Sequence, residues 1–146
     1  MSSALRTVSW VLLVIVGGLI LFGALVSVQT AYWGMFPVGG VSIEKIAGGQ
    51  TEVLLGLRGA RGTAAAWAAA WATLFLFVVL GPYRRGDVTT WWGILASALV
   101  LGVVVAVRLP ILGIQAGTGT PLFLLVVVIV ALLLDVKRLV QPPPAP

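Results

Sequence analysis

Few residues in this chain are equipped for chemistry, and most of them are cations. Arg58, Arg61 and Arg108 stand beside the ends of apolar runs, and Gln29 and Gln115 occupy comparable places. A guanidinium presents five N–H donors in a fixed fork that matches a carboxylate or a phosphate. These five side chains are therefore the candidate ligand-binding set, for a small anionic or amphipathic molecule. Guanidiniums brought together repel one another unless an anion lies among them. Glu44 and Glu52 lie in the segment before Arg58 and could fill that role. The plainer reading is that each boundary arginine lays its stem on apolar surface and keeps its head in water.

The other patterns carry less. Ser42-Ile43-Glu44-Lys45 matches the S-x-x-K arrangement of serine acyl-enzymes, but no S-D-N or K-T-G partner accompanies it. Ser42 reads better as the cap of a short helix, Ile43 to Ala47, stopped by Gly48. Asp135 and Arg138, three apart, suit a local ion pair at a helix end, and Arg84 or Arg85 could also reach Asp135. The chain holds no cysteine and no histidine. That excludes disulfides, thiolate metal centres, His-ligated haem and a Ser-His-Asp triad. No metal, cofactor or catalytic set is expected, and the chain does not read as an enzyme. No acid or base stands near the middle of an apolar run, where proton- and ion-coupled transporters place one. Small multidrug exporters of this size rely on a glutamate in the first span, and none is present there.

The elements that position these residues follow from composition. Of 146 residues, 60% are hydrophobic and 9% charged, and the mean hydropathy is +1.15. A water-soluble domain of this size cannot hide so much apolar surface, because about a third of what it could expose stays exposed. Four uncharged runs stand out: Trp10 to Val28, Thr63 to Leu80, Trp91 to Val107 and Pro121 to Leu134. A spanning helix takes about 20 residues. The first three suffice alone, and the fourth extends to about 118–136 through its uncharged flanks. Thr120 as a cap with Pro121 in the first helical position marks its start. The first run is too long for the core of a cleaved signal peptide, and no clear A-x-A site follows it. The fold expected is all-α: one integral membrane four-helix bundle over 1–140, with spans 10–28, 63–80, 91–107 and 118–136 and a long first extramembrane loop. A proline-rich tail, 141–146, should be extended.

Four spans put both ends on one side. With cytoplasmic termini, Arg6, Arg84, Arg85, Lys137 and Arg138 lie inside, and Lys45, Arg58, Arg61 and Arg108 outside. Five cations to four favours that orientation. The tight connection Gly81 to Asp87, with two adjacent arginines, favours it more strongly. Trp10, Tyr32, Trp33, Tyr83, Trp91 and Trp92 occupy the places of interfacial aromatic anchors. In the second span Gly62, Ala65, Ala69 and Ala72 form one stripe and Trp67, Trp71, Leu74 and Val78 the opposite one. Ala98, Gly102 and Ala106 form a small-residue ridge in the third. Small residues let membrane helices approach closely, so these two smooth faces are expected to meet. Thr51 is placed to cap a helix from Glu52 that runs on into the second span.

Leu57-Arg58-Gly59-Ala60-Arg61-Gly62, and Tyr83-Arg84-Arg85-Gly86-Asp87 followed by Trp91-Trp92, together with the overall layout, resemble small bacterial four-span proteins of the DoxX-like kind. The resemblance covers most of the chain in layout and about a dozen residues in motif. It implies a bacterial inner (plasma) membrane protein, in a group many of whose members have no assigned activity. Claudin-type proteins share the topology and an arginine near the start of span two, but their first-loop cysteine pair is missing here. The expected function is that of a non-enzymatic accessory or scaffold subunit, or of a lipid-contacting component. The alternative is a binder or carrier of a small anionic or amphipathic molecule at the outer arginines. Expected partners are membrane lipids and another membrane protein or a second copy of the chain. The cations flank apolar runs, which suits lipid headgroups and not nucleic acid.

Overall fold

The computed structural model describes residues 3–34, 42–112 and 119–140. The described residues are helical, with no strand among them. In order they form α1 (Ser3–Trp33), α2 (Ile43–Ala47), α3 (Thr51–Val78), a wide π-type turn (Val79–Tyr83), α4 (Val88–Leu112), α5 (Gly119–Leu134) and a 3₁₀ turn (Val136–Val140). Three helices, α1, α3 with its wide turn, and α4, are long and apolar enough to cross a membrane. The fourth apolar helix, α5, has 16 residues, about 24 Å at 1.5 Å per residue. It begins at Gly119, one residue ahead of the expected cap. Thr120 and Pro121 therefore lie inside its first turn, where a proline still removes no helical hydrogen bond.

The described chain divides into two compact units, Met1–Val16 with Leu76–Pro146, and Gly17–Phe75. In the first, Leu13, Val16, Val79, Tyr83 and Leu132 are almost wholly enclosed. Here α4 and α5 pack together: Gly102 faces Leu125, and the buried Trp91 donates its indole N–H to Leu132 O at 3.2 Å. Trp91 is thus a packing residue, while its neighbour Trp92 is exposed as an anchor would be.

The second unit has a core of small groups: Ala24, Thr30, Ala31, Ala65 and Ala72, with Gly62 also buried. A Cβ on Gly62 would run into the Tyr32 ring. The small stripe of α3 is the buried one, as its composition suggests, and at Gly62 its neighbour is α1. Trp67 and Leu74 on the other stripe are 74% and 64% exposed. Within the units, Gly62 meets the Tyr32 ring and Gly102 the Leu125 side chain. A glycine gap admits an aromatic ring or a leucine as readily as another small residue.

Capping accounts for the ends. Ser42 Oγ accepts from the Lys45 amide at 3.2 Å, and Gly48 takes a left-handed φ of 57° to close α2. α3 starts at Thr51 itself and runs unbroken to Val78. The connection after it is shorter than the sequence suggests. Pro82 has no N–H to give, and the helix widens around it instead of ending. It then continues to Arg85. Gly86, at φ 98°, closes it with a Schellman pattern: Gly86 N–H to Tyr83 O at 3.1 Å and Asp87 N–H to Pro82 O at 3.2 Å. Asp87 at once caps α4, accepting from the amides of Thr89 and Thr90 at 3.2 and 3.0 Å and from the Thr90 hydroxyl. Two residues, Gly86 and Asp87, therefore turn the chain from one long helix into the next.

Candidate functional site

Of the five residues singled out by the sequence, the structure describes three side chains. Arg58 pairs with Glu44, Nη2 to Oε1, at 2.9 Å. Arg61 donates from Nε to Ser27 Oγ at 3.2 Å. Gln29 is exposed. Arg108 lies on α4, its side chain outside the described residues, and Gln115 lies outside them altogether. The side chain of Arg138, the expected partner of Asp135, is also outside them.

The Arg58 and Arg61 setting is built by three elements of the second unit. α2, capped at both ends, holds Glu44 above Gly34, whose left-handed turn (φ 65°) ends α1. A Cβ at Gly34 would lie 3.1 Å from Glu44 Oε1. A carboxylate beside a helix C-terminus is electrostatically disfavoured, and Arg58 offsets that. Glu44's own backbone N–H and then the Arg58 guanidinium hold its carboxyl below the usual glutamate range. Arg58 Nε is enclosed without a hydrogen-bond partner. The charge of this cluster is thus answered in part from within: Glu44 balances Arg58, while Ser27 orients Arg61 without cancelling its charge.

A second basic cluster, in the first unit, escaped the sequence reading. Arg6, on the first turns of α1, donates from Nη2 to Arg84 O at 3.2 Å. Arg84 lies over the Trp10 indole, 5.1 Å from the ring centroid, a cation–π distance. Trp10 in turn donates its N–H to Val79 O at 3.1 Å, inside the wide turn. Such turns open the backbone ladder to side-chain donors. Ser9, next to Trp10 in the sequence, shares with Tyr83 a buried hydroxyl–hydroxyl bond of 2.8 Å. Arg6, Thr7, Trp10 and Arg84 line a cleft of 170 Å³, open to one side. Asp87, the nearest carboxylate in sequence, is not among its walls and is held by Thr89 and Thr90. The signal that could have found this site is Arg84 beside Tyr83 and a tight turn. The partner, Arg6, is 78 residues away and could not be assigned to it from spacing.

No His, Cys, Asp or Glu cluster fit to hold a metal occurs among the described residues. No family model, curated protein or solved structure matches the chain.

Proposed function

We propose that the chain is a four-span integral membrane protein of a bacterial inner membrane, with both termini cytoplasmic. It acts, on this reading, as a lipid-contacting component or accessory subunit and not as an enzyme. The observation that carries it is the exposure of large apolar side chains along the long helices. Phe22 and Phe77, for example, are 67% and 76% exposed. Contiguous apolar surface on that scale needs lipid or a partner against it. Membership of the DoxX-like proteins belongs to the same proposal and rests on layout and the two arginine motifs. The fourth crossing, α5, is short for a bilayer core of about 30 Å and would use its uncharged flanks.

The test is extraction with alkaline carbonate followed by thiol labelling, on a background free of native cysteine. The protein should stay with the membrane pellet. In intact cells Gln50→Cys should react with an impermeant maleimide, and Arg85→Cys should react only after permeabilisation. Release by carbonate sinks the membrane reading, and the reverse labelling pattern inverts the orientation. A stoichiometric protein partner retained in mild detergent would select the subunit role over the lipid-contacting one.

One observation favours the second reading, an anion bound at the arginines of the second unit: the unpartnered Nε of Arg58. Glu44 already holds Nη2 of that guanidinium.

A further inference from the structure

We propose that the cleft bounded by Arg6, Thr7, Trp10 and Arg84 is a binding site for a phosphate group, presented by an anionic lipid headgroup or free in solution. The headgroup source rests on the membrane reading above; the phosphate chemistry does not.

Four features support it. Among the described residues the cleft walls carry two guanidiniums and no carboxylate, so none of the described lining residues answers the charge they concentrate. The groups are held in place before any ligand arrives. Trp10 is fixed by Val79 O, Arg84 by the Trp10 face, and Arg6 by Arg84 O. Ordering two long side chains is a large part of what binding costs, and these contacts lower that cost. Arg6 uses one N–H of its fork on Arg84 O, and stacking of Arg84 leaves the edge of its plane open to an acceptor. Finally, the space fits. A water occupies about 30 Å³ in the liquid, so 170 Å³ admits a phosphorus with its four oxygens, and the open side leaves room for what they are attached to. Two forks from different elements suit the tetrahedral spread of phosphate oxygens better than the single plane of a carboxylate. The indole marks the level at which such a group would lie, since tryptophans settle at headgroup depth.

The competing account is a purely structural clamp that ties α1 to the end of α3. The two separate on a ligand response. The full chain is purified in neutral detergent and its melting temperature followed with phosphatidylglycerol in mixed micelles, with dodecanoate in the same micelles, and with sodium phosphate against sodium chloride of equal ionic strength. Phosphatidylglycerol should raise the midpoint by about 3 °C near saturation, and dodecanoate by much less. A matching rise with sodium phosphate identifies free phosphate as sufficient; a rise with the lipid alone identifies the headgroup. Both results support the site. The Arg6→Gln/Arg84→Gln double variant should lose the rise, and Arg85→Gln, which removes one charge outside the cleft, should keep it. If the double variant does not fold, Arg6→Lys and Arg84→Lys serve instead. They keep charge and lose the fork, and each should bind about tenfold more weakly. No rise with either phosphate source overturns the proposal. So does a rise that survives the double variant, an equal rise with dodecanoate, or an equal loss with Arg85→Gln. Carbonate extraction of the same variants keeps the two ideas apart: a failed site leaves the protein in the membrane pellet, whereas a failed membrane reading releases it.

Discussion

The two basic clusters of this chain use the same side chain in opposite settings. In the second unit Arg58 has a carboxylate of its own and Arg61 a serine hydroxyl. In the first, Arg6 and Arg84 have a carbonyl and an indole face, neither of which cancels a charge. The units also differ in their cores. One encloses Tyr83, Leu13 and Leu132; the other encloses mainly alanines and Thr30. An internally paired arginine is a structural fastener, and exposed pairs of that kind contribute little. An arginine held rigid without a counter-ion keeps its charge available for a ligand. Proximity to an apolar run, which first drew attention to Arg58, Arg61 and Arg108, does not distinguish these cases.

The largest expected difference lies in the two tyrosines. Tyr83 is fully buried and bonded to Ser9, whereas Tyr32 is 54% exposed beside Gly62. Tyr83→Ala should open a cavity and strand the Ser9 hydroxyl, costing about 3 kcal/mol. Tyr32→Ala should cost less than about 1 kcal/mol. Denaturant or thermal unfolding in one detergent measures both. Similar losses would mean the cores of the two units are not built as differently as their residues suggest.

The two left-handed glycines at helix ends sharpen the contrast. Gly48 has φ 57° and open space where a Cβ would go. Gly86 has φ 98°, and its Cβ would press on Arg6 Nη2. Gly48→Ala should therefore cost about 1 kcal/mol from the backbone alone. Gly86→Ala should cost about 2 kcal/mol, the added part coming from a displaced Arg6 and a less favourable φ. It should also weaken the response to phosphatidylglycerol, which Gly48→Ala should leave intact. Equal costs and equal responses would show that Gly86 does not position Arg6.

Much of the scaffold was legible because local rules set it. Apolar runs of seventeen to nineteen residues became α1, α3 and α4, and Ser42 with Gly48 delimited α2 through two local hydrogen bonds. The wide turn at Pro82 was not legible. A proline after glycine reads as a break, and only tertiary contacts such as Trp10 to Val79 O make it favourable to keep winding. The Arg6 cleft was illegible for a related reason. Its residues are separated by most of the chain, and one sequence cannot say which helix ends lie together. Of the set Arg58, Arg61 and Arg108, the Glu44 partner for Arg58 was foreseeable from charge alone. Its geometry depended on the placing of α2 over Gly34.

The caps give a smaller contrast. Asp87 serves both the amides of α4 and the Thr90 hydroxyl, and α4 is 25 residues long. Asp87→Ala should cost about 1 kcal/mol. Ser42 caps only the five residues of α2, and Ser42→Ala should lower the unfolding midpoint by less than about half of that. If Ser42→Ala proves the more damaging, α2 contributes more to the second unit than its length implies.

The smallest effect expected is that of acid, and it should reach the two units in sequence. Glu44 is held below its ordinary value of 4.5 by its own backbone N–H and by Arg58. Asp87 is held below its ordinary value of 3.8, first by the Thr90 hydroxyl and then by the amides of Thr90 and Thr89. A lowered native pKa means the unfolded chain takes up a proton first as pH falls. Each carboxylate therefore adds stability that is fully present above its ordinary value and is lost as pH falls through its lower native value. The unfolding midpoint should be flat with respect to these two groups from pH 7 to about pH 5. The Glu44 contribution should begin to fade below 4.5, and that of Asp87 only below 3.8. Glu44→Gln should remove the upper part of the slope and Asp87→Asn the lower part. Because Glu44 is exposed, added salt should flatten its part by screening Arg58. The Asp87 part, made by direct hydrogen bonds at a helix start, should persist in salt. An acid slope untouched by either substitution would show that neither carboxylate supports its unit. A Glu44 part that resists salt would show that the Arg58 pair is more enclosed than its exposure indicates.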